Sequence, residues 1–220
     1  MEMNEIMNLR HSVRQYTDKP IESEKRSELD ALVSELNRKN GLHIQICYDE
    51  PKCFDSFMAH YGKFSGVNNY IALIGKKSPK LDETLGYCGE QIVLKAQELG
   101  LNTCWVAMTH GKSKAVINSG EKLVCLISLG YGKTQGAAHK NKPIAEVSSC
   151  SGSSPEWFRN GVEAALLAPT AMNQQKFSFE LSPDNTVSAV CGSGFYTKLD
   201  LGIAKYHFEL GAGKENFSWK

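Results

Sequence analysis

Two guanidinium groups and a hydroxyl fall within five residues in the run Arg10-His11-Ser12-Val13-Arg14-Gln15-Tyr16. Alternate residues of an extended chain share one side, so Arg10, Ser12 and Arg14 would offer two cationic forks and a neutral donor to a single ligand. The guanidinium fork matches phosphate oxygens, and the chemistry expected of this run is a phosphate clamp. Taken alone, the same composition describes a solvated basic segment beside a helix start. A second run, Ala168-Pro169-Thr170-Ala171-Met172-Asn173-Gln174-Gln175-Lys176-Phe177, stands between a helical pattern and a strand pattern. Proline ends the helix, and the residues after it can present backbone amides, a hydroxyl and carboxamides to a flat heteroaromatic edge. A plain polar turn would look similar. Lys140-Asn141-Lys142-Pro143 follows a glycine-rich strand exit and adds two cations, which by themselves read as hydrated lysines.

The elements that must position these runs are readable from periodicity. Leu29, Leu32, Val33 and Leu36 recur at helical spacing and stop at Asn40-Gly41. Leu42, Ile44, Ile46 and Tyr48 alternate with polar residues, which predicts a half-buried strand with His43 on its outer side. A short helix over 54–60 leads to the apolar strand Tyr70-Ile71-Ala72-Leu73-Ile74, closed by Gly75. Residues 85–99 are apolar most of the way round and predict a buried helix, with Gly100 as its stop. Strands are predicted over 103–108 and 123–129. The small, polar segment 148–154 then reads as a connection between two halves, 1–147 and 155–220. In the second half Ser154-Pro155 predicts an N-cap and first helical position, followed by strands at 177–181 and 187–191 and a helix over 199–210 closed by Gly211. Glu98-Leu99-Gly100 set against Glu209-Leu210-Gly211 also aligns Ile92 with Ile203, a short internal similarity that suggests two related half-units.

With 220 residues and 41% apolar content the chain can bury a core unaided. Its 25 Lys and Arg against 24 Asp and Glu leave no overall field for nucleic acid or an anionic membrane, so any cationic site must be local. No apolar run has the length to cross a bilayer, no basic leader precedes one, and a cytoplasmic location is expected. The seven cysteines are scattered and odd in number, as free thiols in a reducing compartment would be. Cys104 and Cys125, inside apolar runs, are expected in the core. His60, His110, His139 and His207 lack metal-ligand spacing and are expected to be structural or exposed, so no metal site is expected.

Together the runs resemble the nitroreductase family of FMN-dependent oxidoreductases. Arg10 to Tyr16 is similar to the family's Arg-x-Ser-x-Arg signature, and the stretch from Gly86 to Ala107 to its central helix and following strand. Leu129-Gly130-Tyr131-Gly132 and Lys140-x-Lys142 resemble its late strand and basic tail. Ala168-Pro169-Thr170-x-x-Asn173-x-Gln175 resembles its Pro-Ser-x-x-Asn-x-Gln loop. The resemblance implies an α+β fold with a central, mainly antiparallel sheet and flanking helices. It implies FMN held at the phosphate by Arg10, His11, Ser12, Arg14, Lys140 and Lys142, with His11 contributing as much by its backbone as by its ring. Pro169, Thr170, Ala171, Met172, Asn173 and Gln175 would meet the ring system, and backbone amides of Trp105, Val106 and Ala107 would sit by its reactive nitrogen. No side-chain acid or base is required, the cofactor carrying the chemistry. NADH or NADPH would be the reductant and a small nitroaromatic or quinone-like molecule the acceptor. A non-catalytic FMN-binding or sensing protein, or another reduced-flavin reaction such as dehalogenation or flavin breakdown, is the alternative.

One departure from the family pattern is informative. The Pro-Ser-type loop ordinarily follows the first helix, but here it occurs after residue 154, in the second half. In the family the clamp and the loop of one flavin come from two subunits. The order here implies that one chain fuses both contributions, in the manner of an internally duplicated branch of the family. One flavin site per chain is then expected, in a monomeric pseudo-dimer or a weak homodimer.

Overall fold

The computed structural model describes residues 2–150 and 153–220. The helices are α1 (Met3–Leu9), α2 (Ser23–Asn40), α3 (Phe57–Tyr61), α4 (Leu81–Glu98), α5 (Ile144–Val147), α6 (Glu156–Ala165) and α7 (Thr197–Ala212). The strands are β1 (Gln45–Cys47), β2 (Asn69–Lys76), β3 (Asn102–Val106), β4 (Glu121–Gly130), β5 (Ser148–Cys150), β6 (Phe177–Leu181), β7 (Thr186–Cys191) and β8 (Ser218–Trp219). They form two four-stranded sheets, ordered β1-β2-β4-β3 and β5-β6-β7-β8. The first is antiparallel throughout. In the second, the β6–β7 hairpin is antiparallel, and β5 and β8 join it as parallel edges.

Packing divides the chain into two compact units, each discontinuous in sequence. One comprises Leu9–Leu81 and Gln91–Ala137 and holds the first sheet; the other comprises the chain up to Asn8, Asp82–Glu90 and everything from Ala138 onward, with the second sheet. This division follows contact density, whereas the halves 1–147 and 155–220 follow sequence relationship, so their bounds differ. Helix α4 gives its first half to one unit and its second half to the other.

In the first-sheet unit, β2 is buried from Asn69 to Gly75, because its continuous apolar run leaves no polar face to turn outward. Val13, Tyr16, Phe54, Phe64, Tyr70, Cys104 and Leu126 belong to one core cluster on this sheet. Helix α2 stops where Gly41 adopts φ 62° and donates its N–H to the Asn37 carbonyl. The strand predicted over 42–48 shortens to Gln45–Cys47, with Leu42 making only an isolated bridge to Gly75. The core of the other unit is aromatic: Phe179 and Phe208 stack at 4.6 Å, with Phe158, Phe217 and Trp219 around Phe208. There α4 and α7 cross with their backbones in contact. A Cβ on Gly86 would lie 2.1 Å from the Leu199 carbonyl oxygen, and one on Gly202 would lie 1.9 Å from that of Glu83.

Three local expectations are corrected. Ser148–Cys150, the start of the segment read as a connection, is strand β5 in register with Phe179–Leu181; residues 151 and 152 of that segment lie outside the described residues. Pro155 rather than Ser154 is the N-cap of α6, and its side chain offers no cap hydrogen bond. Helix α7 continues through Gly211 to Ala212 and stops at Gly213, φ 75°. Gly211 is instead a packing residue, its hydrogen standing where a Cβ would meet Asn160 O and Ala164 Cβ at 2.5 Å each.

Candidate functional site

The Arg10–Tyr16 run is extended and hydrogen-bonded on both flanks within the first-sheet unit. Ser12 bridges Thr103 of β3, and the Val13 N–H donates to the Thr103 carbonyl at 3.0 Å. Tyr16 donates its N–H to Ser65 O, and the Ser65 N–H returns to Arg14 O. The sequence produces this by anchoring the run at Val13 and Tyr16, both 2% exposed, with the polar Arg14 and Gln15 exposed between them. The Tyr16 hydroxyl then donates to Val13 O at 2.7 Å and lies 2.8 Å from Ser128 Oγ, which pins the turn under Arg14. Close packing recurs beside His11: Gly136, φ 74°, has no room for a Cβ, which would approach His11 Cβ to 2.7 Å.

The electrostatics of the run are felt at the Cys104 thiol on the neighbouring strand, and the Arg14 guanidinium itself stands over the Phe64 ring at 5.9 Å. Burial raises the Cys104 pKa, while the Arg14 guanidinium, the Ser12 hydrogen bond and the Arg10 guanidinium each pull it back. Their exposure is unequal: Arg10 is buried at 3%, whereas Ser12 and Arg14 are exposed. The arrangement is one anchored cation, with a second cation and a hydroxyl on the surface. β3 is an edge strand of its sheet, and the clamp run lies along its free side. Trp105 lies two residues beyond Thr103, so its backbone faces that same side. Val106 is buried and closes the strand, and Ala107 follows it, half-buried.

In the second-sheet unit the Pro169–Gln175 loop folds around a short 3-10 turn, Ala171–Asn173. Met172, Asn173 and Gln175 take left-handed backbone, with φ of 53°, 54° and 44°. Such residues are held there by their surroundings. The Gln175 N–H donates to Thr170 Oγ1 at 3.1 Å. Gln175, only 2% exposed, uses both amide hydrogens internally, on Lys140 O at 2.7 Å and Asn173 Oδ1 at 2.8 Å, and accepts from the Lys142 N–H at 2.9 Å. Asn173 Nδ2 donates to Lys140 O as well, and Lys142 Nζ to Gln175 O at 3.1 Å. The loop and the Lys140–Lys142 segment are thereby one hydrogen-bonded piece, in which Gln175 ties segments together rather than facing outward. Met172 is fully exposed, and Lys140 is exposed.

Two features escaped sequence reading. Asp200, in the first turn of α7 and 3% exposed, accepts the Ala171 N–H on both oxygens (3.0 and 3.2 Å) and Gln174 Nε2 at 2.7 Å. Burial pushes its carboxyl up to about 6, against the lowering effect of the Gln174 and Ala171 hydrogen bonds. No motif marks it; the only sequence signal is an acid in an otherwise apolar helix face. His207, read as structural or exposed, is fully buried with Glu90, Nε2 to Oε1 at 2.9 Å. A cleft of about 590 Å³ in the same unit is lined by Asn4, Asn8, Asn141, Asn160 and Glu163 over Met7 and Leu166. It touches the candidate segments only through Asn141. Among the described residues no cluster of His, Cys, Asp or Glu could hold a metal ion, and no helix is long and apolar enough to cross a membrane.

Known proteins share the fold. The chain resembles a "putative nitroreductase" of Thermotoga maritima, with 24% identity over 98% of this chain and 85% of that one, at a TM-score of 0.71. It resembles a nitroreductase family protein of Streptococcus pneumoniae at 14% identity, 66% and 98% coverage and a TM-score of 0.52. A "putative nitroreductase" of Desulfovibrio desulfuricans, in complex with FMN, matches at 18% identity, 66% and 93% coverage and a TM-score of 0.51. Among curated proteins none matches. The family profile described as "Putative TM nitroreductase" matches residues 2–212, nearly the whole chain, and on that match the chain belongs to this nitroreductase family.

Proposed function

We infer that this protein is an FMN-dependent oxidoreductase that takes electrons from NADH or NADPH and reduces small electron-poor acceptors, nitroaromatics or quinones, in a ping-pong cycle. The observation that carries the reading is the Arg10–Tyr16 run itself, held extended along the free edge of β3 by the Ser12–Thr103 bridge and the Val13 N–H to Thr103 O bond. Two guanidinium groups carried on one short run repel, and a phosphate dianion would offset that repulsion while filling their donor forks. The donor set therefore fits the phosphate end of FMN. The relative named with FMN, from Desulfovibrio desulfuricans, supports the same choice of cofactor.

Arg10 and Arg14 bind the phosphate and Ser12 donates to it, with His11 contributing at the backbone. Pro169, Thr170, Ala171, Met172 and Asn173 form the ring-facing surface of the loop, and Gln175 holds that loop to Lys140 and Lys142, whose charges the family resemblance assigns to the phosphate. Amides of the segment Trp105, Val106 and Ala107 orient the ring from the β3 edge. Bound FMN supplies the two-electron chemistry. One FMN per chain is expected.

The test is the visible spectrum of the purified protein after incubation with FMN and removal of the excess, followed by NAD(P)H under anaerobic conditions. Retained flavin at one per chain, bleached by the nucleotide and recoloured by a quinone, is the expected result. The Arg10→Ala variant should bind FMN at least tenfold more weakly, since charge-assisted hydrogen bonds are worth about 1.5–3 kcal/mol each. Undiminished retention by that variant sinks the clamp assignment. Retained flavin that stays yellow with both nucleotides would make the protein a flavin binder rather than this enzyme.

A further inference from the structure

The carboxylate of Asp200 is buried without a cation, which is costly unless its acceptors are needed. It stands at the base of the turn that the functional reading places against the flavin ring. Its two oxygens take the Ala171 N–H and one hydrogen of the Gln174 amide. Gln174 Nε2 also donates to Phe195 O at 2.9 Å, so the same amide joins the loop to the segment entering α7. That segment carries another left-handed residue, Tyr196 at φ 61°, directly before the helix. Met172, at the apex of the turn, is exposed to solvent over its whole side chain and makes no packing that could hold its left-handed backbone in place. The turn's own hydrogen bonds and those to Thr170 and Lys140 hold it from one side, and the bonds into Asp200 tie it to α7.

The charges around this carboxylate are engaged elsewhere. Lys176, the first residue past the loop, donates its Nζ to Ser193 O at 3.0 Å. Glu83 of α4 pairs with Lys205 of α7 at 2.8 Å, and Lys198 on α7 is exposed. No titratable side chain lies between Pro169 and Gln175. Burial, Gln174 and Ala171 are the influences on the group.

We infer that Asp200 is the positioning residue of the Pro169–Gln175 loop, its ionised carboxylate holding the Ala171–Asn173 turn in shape and its protonation releasing that turn. The inference rests on the functional reading for what the loop contacts, though not for the hold itself. Protonation leaves one neutral carbonyl oxygen in place of two ionised ones: with the proton on Oδ1, the Ala171 N–H loses its shorter bond and Oδ2 alone must serve both it and Gln174 Nε2, each bond now without an ionised acceptor. The transition belongs near pH 6, where burial has moved this carboxyl.

Two readouts on the full chain separate this inference from the flavin assignment. In the flavin-free protein, the Ala171 and Gln174 amide signals are followed by NMR from pH 7.5 to 5. Both should move with a midpoint near 6, and in the Asp200→Asn variant they should stay at their low-pH positions throughout. With FMN bound, the visible circular dichroism should change over the same range in the wild type only. Amides that do not titrate, or that titrate equally in Asp200→Asn, overturn the inference. Titrating amides with an unresponsive flavin signal uphold the hold of Asp200 on the loop and remove the loop from the flavin site.

Discussion

Removing His207 tests the logic of the buried dyad in the second-sheet unit. His207 and Glu90 are both fully buried, with Nε2 and Oε1 2.9 Å apart. The Nδ1 atom lies 3.1 Å from the Ala164 carbonyl oxygen, which can only accept, so Nδ1 carries a hydrogen. One proton is then shared between Nε2 and the Glu90 carboxyl, and the dyad joins α4, α6 and α7. His207→Ala takes the Nε2 partner from a carboxyl in a dry site and leaves a cavity; breaking a buried pair this way costs about 3–5 kcal/mol. At about 2–4 °C per kcal/mol for a chain of this size, the midpoint should fall by about 6–20 °C. Glu90→Gln keeps the shape and can donate its amide to Nε2 of the neutral imidazole, and should cost about 1 kcal/mol or less. The double variant Glu90→Ala with His207→Ala should cost less than the sum of the singles, because neither leaves a partner behind. Urea unfolding followed by circular dichroism, with calorimetry to check for separate transitions of the two units, measures all four. A loss below about 1 kcal/mol for His207→Ala, or Glu90→Gln as costly as His207→Ala, would refute the reasoning.

Two further outcomes follow from the same unit. Gly202→Ala places a methyl 1.9 Å from the Glu83 carbonyl oxygen and 2.8 Å from the Tyr87 nitrogen, so α4 and α7 must separate. Overpacking of about 1–3 kcal/mol or more should exceed the roughly 1 kcal/mol that alanine gains over glycine in a helix, and a rise in the thermal midpoint would contradict the backbone contact. Asp200 has a folded-state pKa raised from 3.8 to about 6, chiefly by burial. Its contribution to stability is therefore fully present below about pH 4 and lost as pH rises through about 6. Asp200→Asn should flatten that stretch of the stability profile and leave the variant more stable than the parent at pH 7.5, by up to roughly 3 kcal/mol. A variant that melts earlier at pH 7.5, or keeps the parent's slope between pH 4 and 6, would show that the ionised carboxylate is not the costly group described.

Much of the architecture was legible in the chain itself, because it rests on local rules. The period of Leu29, Leu32, Val33 and Leu36 placed α2, and the left-handed Gly41 ended it where the pattern did. The apolar run 70–74 became the buried centre of the first sheet. The paired arginines around Ser12 and the loop after Pro169 stood out because side-chain type and spacing are enough to suggest phosphate and ring recognition. Where the signal was short it misled: Ser148–Cys150 is polar and small, yet it is a strand because β6 offers it a parallel edge. Gly211 read as a stop and proved to be a contact between helices, since a glycine that ends a helix and one that lets helices touch are the same letter.

The sequence by itself determined which residues could do the chemistry and most of the elements that carry them, since both depend on neighbours within a turn or a strand. Only the tertiary structure decided what each side chain is occupied with. Arg10 is buried while Arg14 stays at the surface, Gln175 spends its amide on the Lys140–Lys142 backbone, and Asp200 and His207 find partners 26 to 117 positions away. Burial and hydrogen-bond pairing across such separations are properties of packing, and no local pattern encodes them.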